Sequence, residues 1–198
     1  MTNVTADMAI SLDGFTAGPN QRLEEPFGDG GTGRLTRWML EAPEENAAAI
    51  AGLTAAEAFV MGRNMFDPGR GAWDPDWRGW WGEDPPYHAP VFVLTHFPRE
   101  PLTMEGGTTF TFVTDGIESA LAQAREAAGD GDVAIAGGAA TVRQYLAAGL
   151  IDLLRLHVAP VALGAGERPL DDIGNFDLEP LEVSSNRLVT HLGYRIRR

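Results

Sequence analysis

The run Val133-Ala134-Ile135-Ala136-Gly137-Gly138-Ala139-Ala140-Thr141 decides the fold. Four apolar residues in a row read as a strand covered on both faces, the pattern of a parallel sheet. Two glycines stop the strand, and a helix is expected at once over Thr141–Ala148, with Val142, Tyr145 and Leu146 facing inward. Glycine lets a backbone come close to a ligand. A helix N-terminus offers free N–H groups and partial positive charge, which suits a pyrophosphate. The G-x-G-x-x-G fingerprint is absent, so this is not the Rossmann turn. The other reading is a tight strand-to-helix turn that holds nothing.

Working outward, Gly149 ends that helix. Leu153–Val158 reads as a strand with Leu154, Leu156 and Val158 on one face and Arg155 and His157 on the other. Pro160–Gly166 is a loop after it. Upstream, Ile117–Ala128 reads as a helix with a stripe of Ile117, Ala120, Leu121 and Ala124. Strands are expected over Val4–Leu12, Ala58–Met61, Val91–Leu94 and Thr108–Val113. Short helices are expected over Arg34–Leu40 and Glu44–Leu53, with Leu35, Trp38 and Met39 on one face of the first. Leu181–Thr190 and His191–Ile196 read as a closing antiparallel pair. Strands alternating with helices imply a parallel sheet with right-handed crossovers. The expected class is therefore α/β, three-layered, with a mixed, mostly parallel sheet and antiparallel C-terminal strands, in a single domain over residues 1–198.

Two further strand ends carry chemistry. Phe59-Val60-Met61-Gly62-Arg63-Asn64 ends a strand in Gly and Arg, where open α/β sheets bind ligands. The planar Arg fork suits a phosphate, although an Arg on a surface loop needs no ligand. Val91–Leu94 runs into Thr95-His96, a hydroxyl and an imidazole. The three ends converge on one nucleotide only if their strands are near neighbours. Ser11-Leu12-Asp13-Gly14 is either a β-turn or a carboxylate at the mouth of the site. Between Asp67 and Pro90 the chain has no period but holds four of its five Trp. A loop that long is usually functional or an interface; its Trp residues read as packing more than as substrate contacts.

Composition closes off other chemistries. All 15 basic residues are Arg and Cys is absent, so Schiff-base lysines, Walker-type phosphate loops, disulfides and thiolate nucleophiles are excluded. The four His (88, 96, 157, 191) show no metal-ligand spacing, and no metal is expected. A net charge of -13 disfavours nucleic acid and anionic membranes as partners. No basic segment followed by an apolar one opens the chain, and no apolar run approaches about 18 residues. The expectation is a cytoplasmic protein.

The stretches MAISLDGFTAG (Met8–Gly18), VMGRNMF (Val60–Phe66), Val91–His96 and AGGAATVRQYLAAGLIDLLRLHVAPVALGAG (Ala136–Gly166), in that order, resemble the dihydrofolate reductase-like superfamily. They are most similar to the C-terminal reductase domain of bifunctional riboflavin-biosynthesis proteins. The resemblance implies an NADPH-dependent reductase acting on a small, heterocyclic substrate. By it, Gly137, Gly138, Ala139 and Thr141 hold the pyrophosphate, and Gly62, Arg63 and Asn64 grip phosphate from the other side. Thr95 and His96 lie near the adenosine ribose and its 2′-phosphate; Ala6, Ala17 and Gly18 offer backbone to the nicotinamide. Asp13, Leu35 and Trp38 face the substrate, with Asp13 as proton source. Departures include Met65, where many members have Thr, and the lack of a carboxylate in Arg34–Leu40. Members of this type commonly pair, so a homodimer is expected. Two alternatives differ in class: a small-molecule binding protein of the same fold without turnover, and an interaction protein working through its Trp-rich loop.

Overall fold

The structure, a computed structural model, describes residues 2–67 and 72–197. Its strands are β1 (Val4–Ser11), β2 (Ala58–Gly62), β3 (Pro90–Leu94), β4 (Leu102–Thr103), β5 (Thr109–Val113), β6 (Val133–Gly137), β7 (Leu153–Ala159), β8 (Asp177–Ser185) and β9 (Thr190–Arg197). The helices are α1 (Arg37–Glu41), α2 (Ala47–Gly52), α3 (Arg63–Phe66), α4 (Ile117–Ala128) and α5 (Ala139–Ala147).

The strands form one sheet in the order β4-β5-β3-β2-β6-β1-β7-β9-β8. Neighbours from β5 through to β7 run parallel, while β4, β9 and β8 are antiparallel. The fold class is thus the expected one, mixed α/β with antiparallel C-terminal strands.

Side-chain alternation along the central strands sorts the core into two faces. Val4, Ala6, Met8 and Ile10 of β1 join Val60, Val133, Ile135, Leu154 and Leu156 against α4 and α5. Truncating Met8, Ile10, Ile135, Leu154 or Leu156 to Ala costs about 2–5 kcal/mol. On the opposite face Phe59, Met61, Val91, Val93 and Phe110 pack under Phe66 and Tyr87, with Trp73, Trp77 and Trp81 over them. The Trp-rich loop is therefore a lid on this half of the core. The Trp77 Nε1–H donates to Phe66 O (2.7 Å) and the Trp73 Nε1–H to Phe97 O (2.8 Å), which ties both rings down. Farther along the same face, Trp38, Ala42, Leu188 and Val189 form a smaller cluster with α2 beside β7 and β9.

Several boundaries differ from expectation. The first helix begins at Arg37, because the preceding stretch runs through turns with positive φ at Gly28, Gly30 and Gly33. The helix after Gly138 starts two residues earlier than periodicity implies. The segment expected as a strand to Thr190 breaks at Asn186, whose Oδ1 accepts from the Leu188 N–H at 2.8 Å and closes the β8–β9 turn. The two-residue β4 and the single-turn α3 carry too little pattern to be read from sequence. Residues 68–71 of the Trp-rich loop lie outside the described residues.

Candidate functional site

All the parallel strands end at one edge of the sheet, and their order there decides what meets. β3, β2, β6, β1 and β7 are consecutive neighbours. Thr95-His96, Gly62-Arg63, Gly137-Gly138, Ser11–Asp13 and Pro160–Gly166 therefore follow one another along that edge. The condition for three strand ends to serve one ligand, near neighbourhood, is met.

Gly137 and Gly138 play different parts. Gly137 has φ +128°, which L side chains rarely adopt, and an added Cβ would sit 3.3 Å from Met65 Sδ. Gly138 is extended (φ -72°, ψ -166°) and is the N-cap of α5 with no side chain capping it. A Cβ there meets nothing within 4 Å, so its flank is open space. An uncapped nine-residue helix start beside open space fits an anion. Next door, a Cβ on Gly62 would collide with Thr141 Oγ1. Gly62 is thus what lets the buried first turn of α5, with Ala139 and Thr141, sit against the end of β2.

Arg63 lies at the start of α3. Its guanidinium pairs with Asp67 (3.3 Å), and its Cζ lies 3.9 Å from the Trp73 ring centroid. Asp67 and Trp73 thus set the orientation of the fork. Asn64 and His96 are exposed. Thr95 is buried, and its hydroxyl accepts from the Phe97 N–H at 3.1 Å, a local turn that occupies it. Ala17 and Gly18 are buried at an isolated bridge to the loop after β7, where Ala17 pairs with Glu167. Ala6 turns its side chain away from this face, into the α4–α5 core.

Asp13 does not suit the role of proton source. Its carboxylate accepts from Ser11 Oγ (2.5 Å), from the Gly164 N–H (2.7 Å) and from the Leu163 N–H (3.1 Å). These donors hold its pKa down to about 2, the Ser11 hydroxyl contributing most and Gly164 next. A group that acidic is ionised near neutrality and has no proton to give. Asp13 instead pins the loop after β7 to the turn after β1. Leu35 and Trp38 are completely buried, so they form wall rather than open surface.

The layer over this face is uneven. The aromatic lid covers β2, β3 and β5, and the Trp38 cluster covers β7 and β9. Between them, Asp7 and Ala9 of β1, Ala136 of β6 and Arg155 of β7 keep partial exposure, while the residues alternating with them are buried. Central strands are normally covered on both sides, so this partly exposed row marks the thinnest cover on the face, on the strands that end at Ser11 and Gly137. Asp7 is the acidic member of this row, with only 9% of its side chain open. Asp7 Oδ2 accepts from Arg155 Nη1 at 3.0 Å, and its Oδ1 lies 3.6 Å from His157 Nε2. Behind His157 stand His191, Asn46 and Trp38. A carboxylate in the middle of an apolar strand, VTADMAIS, was the available signal. It had no readable partner in sequence, since the groups around it come from β7, β9 and the turn before α2.

A mostly parallel sheet in the order β4-β5-β3-β2-β6-β1-β7-β9-β8, with α4 and α5 on one face and antiparallel C-terminal strands, is the dihydrofolate reductase-like fold. The sequence profile of the RibD C-terminal domain matches residues 2–190, and the chain belongs to that family. Bacillus subtilis protein YyaP is 24% identical over 174 residues, spanning 86% of this chain and 81% of its own. Among solved structures, a putative riboflavin biosynthesis protein from Shewanella sp. PV-4 superposes with TM-score 0.67 at 22% identity, covering both chains fully. A pyrimidine reductase-like protein from Corynebacterium diphtheriae gives 0.58 at 15%, covering all of this chain and 92% of that one. The Thermotoga maritima diaminohydroxyphosphoribosylaminopyrimidine deaminase/5-amino-6-(5-phosphoribosylamino)uracil reductase gives 0.60 at 14%, this chain spanning 57% of it. At these identities the structural likeness speaks for the fold.

Proposed function

We propose that this chain is an NADPH-dependent reductase of a small heterocyclic substrate, of the kind that the 5-amino-6-(5-phosphoribosylamino)uracil reductases act on. The observation that carries the reading is the open flank of Gly138 at an uncapped helix start, one strand away from the oriented Arg63. Bound there, NADPH supplies a hydride to a C=N or C=O carbon. The chain's own part is to hold the diphosphate on the Gly138–Ala140 backbone and to seat the substrate in a cleft over the partly exposed row Asp7, Ala9, Ala136 and Arg155, between the aromatic lid and Trp38. Arg63 and His96 would meet the 2′-phosphate. Net charge, the absence among the described residues of a helix able to cross a membrane, and the family fit a small-molecule enzyme of the cytoplasm.

The test is NADPH consumption across a panel of 5-amino-6-(5-phosphoribosylamino)uracil, dihydropterins, nitro compounds and quinones. Turnover with the pyrimidine and not with the others supports the reading. NADPH binding without oxidation by any acceptor would make the chain a binding protein of the same fold. No NADPH binding at all would refute both. A homodimer is part of the proposal: β8 is an edge strand with Leu178, Leu181 and Val183 exposed, and such edges invite pairing. Light scattering at micromolar concentration checks it, and a monomer removes it.

A further inference from the structure

A hydrogen-bond count around Asp7 fixes where protons sit. The Asn46 Nδ2 amide donates both hydrogens to backbone carbonyls, to Ala42 O at 2.7 Å and Trp38 O at 3.1 Å. Its Oδ1 must therefore be the atom that faces Asn186 Nδ2 (2.8 Å) and His191 Nε2 (2.9 Å), accepting from both. His191 thus carries hydrogen on Nε2. Burial, and then the nearby His157, push its pKa down, so its Nδ1 is a lone pair. That lone pair accepts from His157 Nδ1 at 2.7 Å, which makes His157 Nδ1 the donor.

One nitrogen remains. His157 Nε2 and Asp7 Oδ1 are both buried, 3.6 Å apart, and neither has a hydrogen-bond partner. Without a proton between them, a nitrogen lone pair would face a carboxylate oxygen, two acceptors shielded from water. Arg155 Nη1 already donates to the other carboxylate oxygen, Oδ2, at 3.0 Å, so the count of donors and acceptors places the missing hydrogen on His157 Nε2. The groups facing the pair are Arg155 from β7, His191 from β9, Trp38 from α1 and Asn46 before α2. Of the two, Asp7 keeps 9% of its side chain open and His157 only 3%, so Asp7 is the member on the cleft.

We propose that Asp7 is the proton donor to the substrate and that His157, seated behind it, is the residue that stores and returns the proton. The inference rests on the reductase reading. When a C=N or C=O carbon gains a hydride, the attached nitrogen or oxygen gains the electron pair of the broken π bond and needs one proton. That proton passes from His157 Nε2 to Asp7 Oδ1 and from Asp7 to the substrate atom. The pair is left one proton short, and water entering the cleft restores it. Asn46 and His191 act as positioning residues that keep Nδ1–H of His157 turned away from Asp7.

Long-range 1H–15N spectra of the full chain carrying 15N-histidine test the proton directly, with no turnover needed. The expected result near neutrality is His157 protonated on both nitrogens and His191 neutral with hydrogen on Nε2. Asp7→Asn should remove the second proton from His157. A neutral His157 with a bare Nε2 in the wild type would overturn the inference by itself. The second arm is the pH profile of NADPH oxidation with 5-amino-6-(5-phosphoribosylamino)uracil as probe. Asp7→Asn should lower kcat by about 100-fold or more, leave the KM for NADPH unchanged and abolish the alkaline limb. His157→Gln, which keeps an amide donor toward Asp7, should lower kcat and lose the same limb while staying folded. Unchanged kcat in Asp7→Asn would overturn the donor role. A doubly protonated His157 in a protein that oxidises no NADPH would overturn the donor role together with the reductase reading.

Discussion

Replacing Gly138 with Val, beside the same change at Gly137, separates a cofactor effect from a folding effect. Gly138 already has the extended backbone of an ordinary residue, and nothing lies within 4 Å of an added Cβ. A surface-like substitution of this kind changes stability by no more than about 0.5 kcal/mol. Gly137 has φ +128° and Met65 Sδ 3.3 Å from its Cβ position, and a side chain there costs about 1–3 kcal/mol of backbone strain. In a chain of this size that is a fall in Tm of roughly 3–10 °C, against about 2 °C or less for Gly138→Val. On NADPH the order reverses in diagnostic value. The space filled at Gly138 is where the diphosphate would lie against the first N–H groups of α5. Losing even one hydrogen bond to a charged group is worth about 1.5–3 kcal/mol, and displacing the diphosphate loses several, so affinity should fall at least about 100-fold. Calorimetric titration of NADPH and a thermal melt on the same samples read both quantities. A folded Gly138→Val protein that binds NADPH within about threefold of wild type would show that no diphosphate sits on this turn, and the reductase reading would lose its main support.

Arg63→Ala should weaken NADPH more than NADH if its fork reads the 2′-phosphate, and both equally if it lies on the shared diphosphate; equal wild-type affinities for the two cofactors would remove the 2′-phosphate assignment. Asp13 has a folded-state pKa depressed to about 2, so its stabilising effect is complete above the unfolded value of about 3.9 and is lost as pH falls through about 2. Asp13→Asn should therefore flatten the acid-unfolding curve between about pH 4 and pH 2, leave kcat at neutral pH nearly unchanged apart from loop effects, and an acid limb identical to wild type would show that the Ser11 and Gly164 contacts do not form. Asn46→Ala strips partners from Trp38 O, Ala42 O, His191 Nε2 and Asn186 Nδ2 in a buried place. It should cost about 2–4 kcal/mol, a Tm drop on the order of 10 °C by calorimetry, and a drop of only a degree or two would contradict the network.

The differences between expectation and structure have specific causes. Ile117–Ala128 was legible to the residue because a twelve-residue amphipathic stripe is bounded by Gly116 and Gly129. The strands β2, β3 and β6 were legible because four apolar residues in a row have no exposed face to mark with polarity. The β8–β9 pair was legible as a pair and not in its bounds, since a side chain, Asn186, and not a glycine makes the turn. Asp13 read as a candidate acid because sequence shows the carboxylate and hides the two backbone N–H groups, 150 and 151 residues on, that keep it ionised.

The sequence alone determined the class of fold, the order of glycine-marked strand ends and the chemistries that a chain without Lys or Cys cannot perform. These follow from local rules: side-chain period, backbone freedom at glycine and the inventory of functional groups. Tertiary structure alone decided which strand ends are neighbours, that Asp7, Ala9 and Ala136 keep partial exposure on one face of β1 and β6, and that Asp7 meets Arg155, His157 and, through it, His191 and Asn46. Proton positions depend on contacts of a few ångströms between residues up to 148 apart in the chain, and sheet order, which sets those contacts, is a property of the whole packed core and not of any segment in it.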